Sequence, residues 1–179
     1  MAAARNGTQV LPTLVSGTRF QYRVENAGSV PLYLQLIGLD ASGDAIALYC
    51  PRSETEVDSG GQLVLQEPRL NPGETVIIPP TATEMGWVAT GPTGLVQIAL
   101  ICSTAPFYKT RAALAAANSL KDREQLRELS NSLEVARAIL EDLNGASGVA
   151  AEIVGSSRES VYAFDVNHWA ALNFLFQVV

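Results

Sequence analysis

Apolar and polar residues alternate with period two through much of the chain up to Tyr108, the pattern of half-buried β-strands. Phe20, Tyr22 and Val24 alternate with Gln21, Arg23 and Glu25, and the small residues from Asn26 to Ser29 form a turn cluster. Pro31 opens the run Leu32–Leu39. Asp40-Ala-Ser-Gly43 carries turn chemistry, and Ala45–Tyr49 follows, so these two runs predict a hairpin. Residues 51–61 are polar, acidic and glycine-ended, and read as an exposed loop. Short strands are predicted at Gln62–Glu67, Thr75–Ile78 and Gly86–Ala89, punctuated by Asn71-Pro72-Gly73 and by Pro79-Pro80. Leu95–Cys102 is apolar on both faces, as expected of a central strand covered on both sides.

From Lys109 the period lengthens to that of a helix. Leu114, Ala117 and Leu120 share one helical spacing, and Leu126, Leu129 and Leu133 another. Asn131 and Glu134 stand three apart, as in a capping box. Leu133, Ala136, Ile139, Leu140 and Leu143 make an apolar stripe, with Gly145 where a helix-ending glycine belongs. Alternation returns at Tyr162, Phe164 and Val166, and again at Leu172, Phe174, Phe176 and Val178. The last run is apolar enough to be expected inside a sheet, paired with earlier sequence. The whole predicts a mainly β chain: an immunoglobulin-like β-sandwich of about nine strands, with an α-helical insertion before the last strands. The implied division is an N-terminal extension (1–17), the sandwich (18–108), the helical insertion (109–145), a flexible loop (146–160) and terminal strands completing the sandwich (161–179).

Size and composition agree with one well-buried core. A chain of 179 residues buries about 70% of its unfolded surface. Hydrophobic residues make up 47% and charged residues 17%, which excludes a disordered chain. The net charge is −6, and both halves, divided at Tyr108, are net acidic; a surface that neutralises nucleic-acid phosphates is not expected. No stretch approaches the ~18 uninterrupted apolar residues of a membrane helix. The opening MAAARNGTQV has no apolar leader core, so a cytoplasmic chain without membrane contact is the expectation.

Candidate chemistry is sparse. Asp40-Ala-Ser-Gly43-Asp44 begins like a calcium loop, but Gly43 comes two positions early and Pro51 stands where the closing glutamate belongs. A hairpin turn is the better reading. Glu54, Glu56 and Asp58 offer carboxylates to a cation, yet Thr55 and Val57 merely alternate with them, as on a solvated loop face. Cys50 and Cys102 fit no CxxC pair and have no cationic neighbours to lower a thiol pKa. The lone histidine, His168, sits between Asn167 and Trp169 and reads as a hydrogen-bonded structural residue rather than a partner for either thiol. Gly91 and Gly94 flank Pro92 without the lysine of a phosphate loop. No catalytic, metal-ligating or cofactor-binding residue is therefore expected, and no cofactor. Trp87, Trp169, Tyr33, Tyr49 and Phe107 remain as a candidate aromatic groove, with core or interface anchoring as the alternative.

Six collinear segments carry a resemblance. RFQYRVEN, PLYLQLIGLDASGDAIALY, NPGETVIIPP, WVATGPTGLVQIALICSTAPF, SLEVARAILEDLNGAS and SVYAFDVNHWAALNFLFQVV are together similar to the C-terminal region of cyanobacterial caspase-homologue proteases, the orthocaspases, relatives of metacaspases. The first four also resemble the DUF4384 type of module, which occurs beside caspase-like and other signalling domains. The resemblance covers about residues 8–179. It implies a non-catalytic accessory or regulatory domain of a caspase-like cysteine protease. Its partner would be the catalytic domain of the same parent, with other proteins or self-association as further partners. The family's His-Gly and acid-Cys motifs are absent here, so no residue inherits a catalytic role. Because the family cleaves after Arg or Lys, Arg158 in GSSRES and Arg52 in CPRSE become candidate processing sites, Arg158 the more accessible. The alternative is a free-standing immunoglobulin-like module that binds a ligand or a protein.

Overall fold

A computed structural model describes residues 11–49, 52–57, 63–79, 86–89, 92–116, 127–148, 162 and 164–179, with the backbone alone at 52–57, 63–64 and 127. In chain order the elements begin with β1 (Thr13–Leu14), β2 (Arg19–Phe20), β3 (Tyr22–Glu25), β4 (Leu32–Leu39) and β5 (Ala45–Ala47). There follow β6 (Arg52–Val57), β7 (Leu63–Leu65), β8 (Arg69–Leu70), β9 (Thr75–Ile78), β10 (Trp87–Val88) and β11 (Gly94–Ser103). The chain closes with α1 (Tyr108–Ala116), β12 (Arg127–Glu128), α2 (Ser132–Ala146) and β13 (Trp169–Val178). The protein is mainly β, with helices inserted before the final strand.

A seven-stranded sheet in the order β1-β13-β11-β4-β5-β12, with β8 also on β4, is the frame. Its centre is the antiparallel trio β13, β11 and β4, in unbroken register from Gly94↔Val178 to Ser103↔Trp169 and from Gln97↔Leu39 to Ser103↔Tyr33. The alternation of β4 sorts its side chains between two cores. Leu34 and Leu36 join Val96, Ile98, Leu100, Phe176 and Val178 in the first, which the short pairs β2–β10 and β3–β9 cover as a second β layer with Ile78 and Trp87. Tyr33 and Ile37 point the other way, onto a second core of Phe107, Leu114, Val135, Ile139 and Leu143 beneath the two helices. A β-sandwich with a helical layer on its outer face results.

The β4–β5 hairpin forms as expected. Asp40 Oδ1 accepts from the N–H groups of Ser42 (2.8 Å) and Asp44 (2.9 Å), and Gly43 takes a φ of 86° that suits glycine. Leu95–Cys102 lies within β11 and is central, as predicted. Other expectations need correction. The polar stretch read as a loop at 51–61 includes a strand, β6, paired with β7 around a break in register. Its run of charged and hydroxylated residues offers no hydrophobic signal to mark it. Thr13–Leu14, within the segment read as an extension, is part of the large sheet. Arg127–Leu129 is extended rather than helical, because β12 pairs with β5 and Leu129 N–H donates to Ala45 at 2.9 Å. Phe164 and Asp165 lie outside any strand and Val166–Asn167 is a turn, with Asp165 Oδ1 accepting from the backbone and side chain of Asn167.

In α2 the start is right but the cap and the face differ. Asn131 makes no side-chain cap; its amide donates to Ala113 O (3.1 Å), tying α2 to the end of α1. The helix runs through Gly145 to Ala146. Its buried residues are Val135, Ala138, Ile139 and Leu143, so Leu133 is 85% exposed. Asp142 explains this rotation. It shares the buried side and accepts from Lys109 N–H (3.1 Å), Thr110 N–H (2.8 Å) and Thr110 Oγ1 (2.8 Å) at the open end of α1.

Candidate interaction surface

The five aromatic residues singled out from the sequence do not converge on one groove. Trp87 is buried in the first core. Phe107 is buried in the second, where Tyr33 and Trp169 pack against the same cluster. Tyr49 packs on the first core and also lines, with Phe107 and Gln35, a cavity of about 10 Å³. That is room for one water at most, beside a Gln35 Oε1 that is buried without a hydrogen-bond partner among the described residues. Arg158 lies outside the described residues, as do Cys50, Asp58 and nearly all of the 146–160 segment; Arg52 is placed by its backbone at the start of β6.

Cys102 and His168 are likewise apart in role. Cys102 packs against the first core, and burial pushes its thiol pKa up, away from the reactive thiolate. His168 closes a turn: its Nδ1 lies 3.1 Å from Thr104 Oγ1, its carbonyl accepts from Thr104 N–H, and its Nε2 is 3.7 Å from Asp165. Among the described residues no group of three His, Cys, Asp or Glu side chains is placed to hold a metal ion.

A different set of aromatics forms a concave surface. Phe20 and Tyr22 stand two apart on the second layer; Phe174 and Phe176 stand two apart on β13, so each pair shares a face. Tyr22 meets Phe174 at 4.9 Å between ring centroids, Phe20 meets Phe176 at 5.5 Å, and Phe20 meets Tyr22 edge-on at 6.1 Å. Leu11, Pro12 and Leu14 complete a groove of about 520 Å³ at the side of the sandwich, with Gln21 and Asn173 as its polar residues. Among the described residues, none that line it is charged. Burial pushes the Tyr22 hydroxyl up to about 12, so it stays neutral here. The signal for this groove is in the sequence as two same-face aromatic doublets, but only the strand order brings them together.

The groove runs beside an open sheet edge. β13 was expected inside a sheet; its inner side is paired with β11 throughout, but its outer side meets β1 only at Thr13↔Gln177 and Leu14↔Val178. Gln177 N–H donates to Pro12 O (2.9 Å) and Val179 N–H to Leu14 O (3.0 Å), so odd-numbered residues direct their backbone groups outward. Among the described residues, those of Trp169, Ala171, Asn173 and Leu175 therefore face outward without a partner strand. Leu172 is 56% and Leu175 39% exposed on this strand. Natural edge strands are usually blunted by charge, proline or a bulge. β13 has none of these.

The arrangement offers backbone hydrogen-bonding groups next to an uncharged apolar trough, which suits an extended polypeptide better than a small polar molecule. Among the described residues no helix is long and apolar enough to cross a membrane. A family model, Domain of unknown function (DUF4384), matches residues 13–106, just over half of the chain. That span runs from β1 to just before α1 and leaves out both helices and β13. No curated protein and no solved structure matches.

Proposed function

The chain belongs to the DUF4384 family, and on that premise we propose that it is a non-catalytic interaction domain of a caspase-like cysteine protease. The observation that carries the reading is the open side of the sandwich, where, among the described residues, a strand edge without a partner borders an aromatic trough without charge. Strand addition to such an edge draws affinity from the main chain and selectivity from alternate side-chain pockets. The chain contributes no catalytic group in this reading. Cleavage after Arg or Lys belongs to the parent's catalytic domain, which is also the intended partner, in a cytoplasmic setting. The caspase-like parent is supported by the collinear resemblance of the six segments, of which the last two lie beyond the DUF4384 match.

The test is an immunoblot of source-cell extract with an antibody to this chain, followed by peptide sequencing of the band. A band well above 19.0 kDa that contains a caspase-like catalytic sequence is the expected result. A band of the chain's own size, beginning at its own Met1, would instead favour the free-standing binding module. Processing is checked on the same material. Incubation with an active Arg/Lys-specific protease of this family is expected to cut after Arg158 before Arg52, and an intact chain after long incubation counts against both sites.

A further inference from the structure

We propose that the protein holds a single ordered water beneath α1, bound to the side chain of Gln35 where β4 changes partners along one of its edges. The inference concerns the helical face of the large sheet and stands independently of the interaction surface.

The strand order makes the site. β4 keeps β11 on one side from Tyr33 to Leu39. Its other side is shared between two strands. β5 pairs there from Ile37 to Leu39, and its continuation gives Leu48 N–H to Leu36 O at 2.8 Å. β8 pairs at Leu32 and Tyr33, and Leu34 N–H donates to Pro68 O at 2.9 Å. Gln35 is the residue between these two contacts. Carrying both registers on to it would set Tyr49 opposite from one strand and Glu67 from the other. Two chains cannot share one place in a ladder, so they part, and a gap opens beside Gln35. Alternation puts Gln35 with Tyr33 and Ile37 on the helical face of β4. There the gap becomes the cavity of about 10 Å³, with Tyr49, Glu67, Phe107, Arg111 and Leu114 among its walls.

The chemistry of the walls selects the occupant. Gln35 is 3% exposed, and among the described residues its Oε1 has no hydrogen-bond partner. A buried polar atom left unpaired costs more than a made hydrogen bond gains, so a glutamine in this core calls for a partner that fits the gap. The volume is about that of one water and excludes any organic ligand. One cation, Arg111, and one anion, Glu67, line it, so neither sign of ion is favoured. Both charges are also engaged elsewhere: Glu67 Oε1 accepts from Phe107 N–H at 2.6 Å, and the Arg111 guanidinium lies 5.7 Å from the centre of the Tyr108 ring. Water donates and accepts, and therefore satisfies Gln35 whichever end of its amide faces the cavity. Tyr49, Gln66 and Glu67 bring further polar groups to the walls, enough for the two to four bonds that buried waters make. The water then joins β4 to the chain entering β8, directly under the helix, and becomes part of the seat of α1 on the sheet.

Oxygen-17 magnetic relaxation dispersion on the full chain counts the waters held longer than the tumbling time of the protein, and tests the proposal. Gln35→Met keeps nearly the same length and removes the amide, so it should lower the count by one water. Gln97→Met, at an exposed position of β11, should leave the count unchanged. A cooperative melt shows that each variant is folded. A crystal structure of the unaltered chain gives the second reading and needs no substitution. It is expected to show one water within hydrogen-bond distance of the Gln35 amide.

Equal counts for wild type and Gln35→Met overturn the proposal, because any long-lived water present then owes nothing to Gln35. A crystal structure with no water beside the amide overturns it as well. So does one in which Gln35 has turned to bond a protein group directly, since the amide would then need no further partner.

Discussion

Gly86 shows how closely neighbouring strands of the second β layer approach at single positions. It sits at φ 108°, and a Cβ there would lie 2.5 Å from Phe20 O, a backbone atom that cannot move aside cheaply. The β2–β10 pair Trp87↔Phe20 begins at the next residue. Gly86→Ala is expected to cost roughly 2–3 kcal/mol, read by urea unfolding, from a disfavoured backbone conformation and a direct clash. Tyr22 makes a pH prediction. Its pKa is raised from the ordinary tyrosine value of 10.0 to about 12 by burial, so the folded state holds its proton longer than the unfolded chain. The stabilisation is complete below pH ~10 and is lost as pH rises toward ~12, because ionisation favours the unfolded chain across that window. Tyr22→Phe should flatten this alkaline decline in denaturant titrations, apart from the titration of other groups.

Asp142 and the rotation of α2 show what is at stake for an element. The first N–H groups of a helix lack internal partners, and α1 has those of Lys109 and Thr110 satisfied by a carboxylate reaching across from α2. Asp142→Ala is expected to destabilise the chain by about 1–2 kcal/mol and to speed exchange of those two amides ahead of the sheet. Asp142→Asn should retain part of the loss. Sequence periodicity found α2 and its start, yet placed Leu133 and Leu140 on the buried side; a cap made by a distant carboxylate has no local pattern. The same limit governs β13. Alternation tells which face of a strand is wet, so Phe174 and Phe176 were legible as one apolar face, but it says nothing of what lies on either edge. The hairpin at Asp40–Asp44 was legible because its turn chemistry is local. The groove was not, because Phe20 and Phe176 are brought together only by strand order.

For the molecule as a whole, the family match and the physical core do not coincide. Residues 13–106 contain most of the first core, yet Phe176 and Val178, both buried there, come from beyond that span. Without β13, strand β11 would lose one of its two ladders over its full length. A chain cut after Pro106 is therefore expected to lose its cooperative thermal transition and to bind a hydrophobic dye, whereas the full chain should melt in one sharp step. A domain of this family with no further sequence must close that side of its sheet by other means.

The short parallel pairing of β1 with the end of β13 has a mechanical consequence. Tension applied through Leu11 and Val179 pulls two parallel neighbours from opposite ends, so the bonds Gln177 to Pro12, Val179 to Leu14 and Ser16 to Val179 are loaded in shear and share the force. They must yield together rather than unzip one after another. In single-molecule stretching this small clasp is expected to set the first rupture event. A domain tethered at both ends within a larger protein would then hold its sandwich closed under a steady pull until the clasp gives way as a unit.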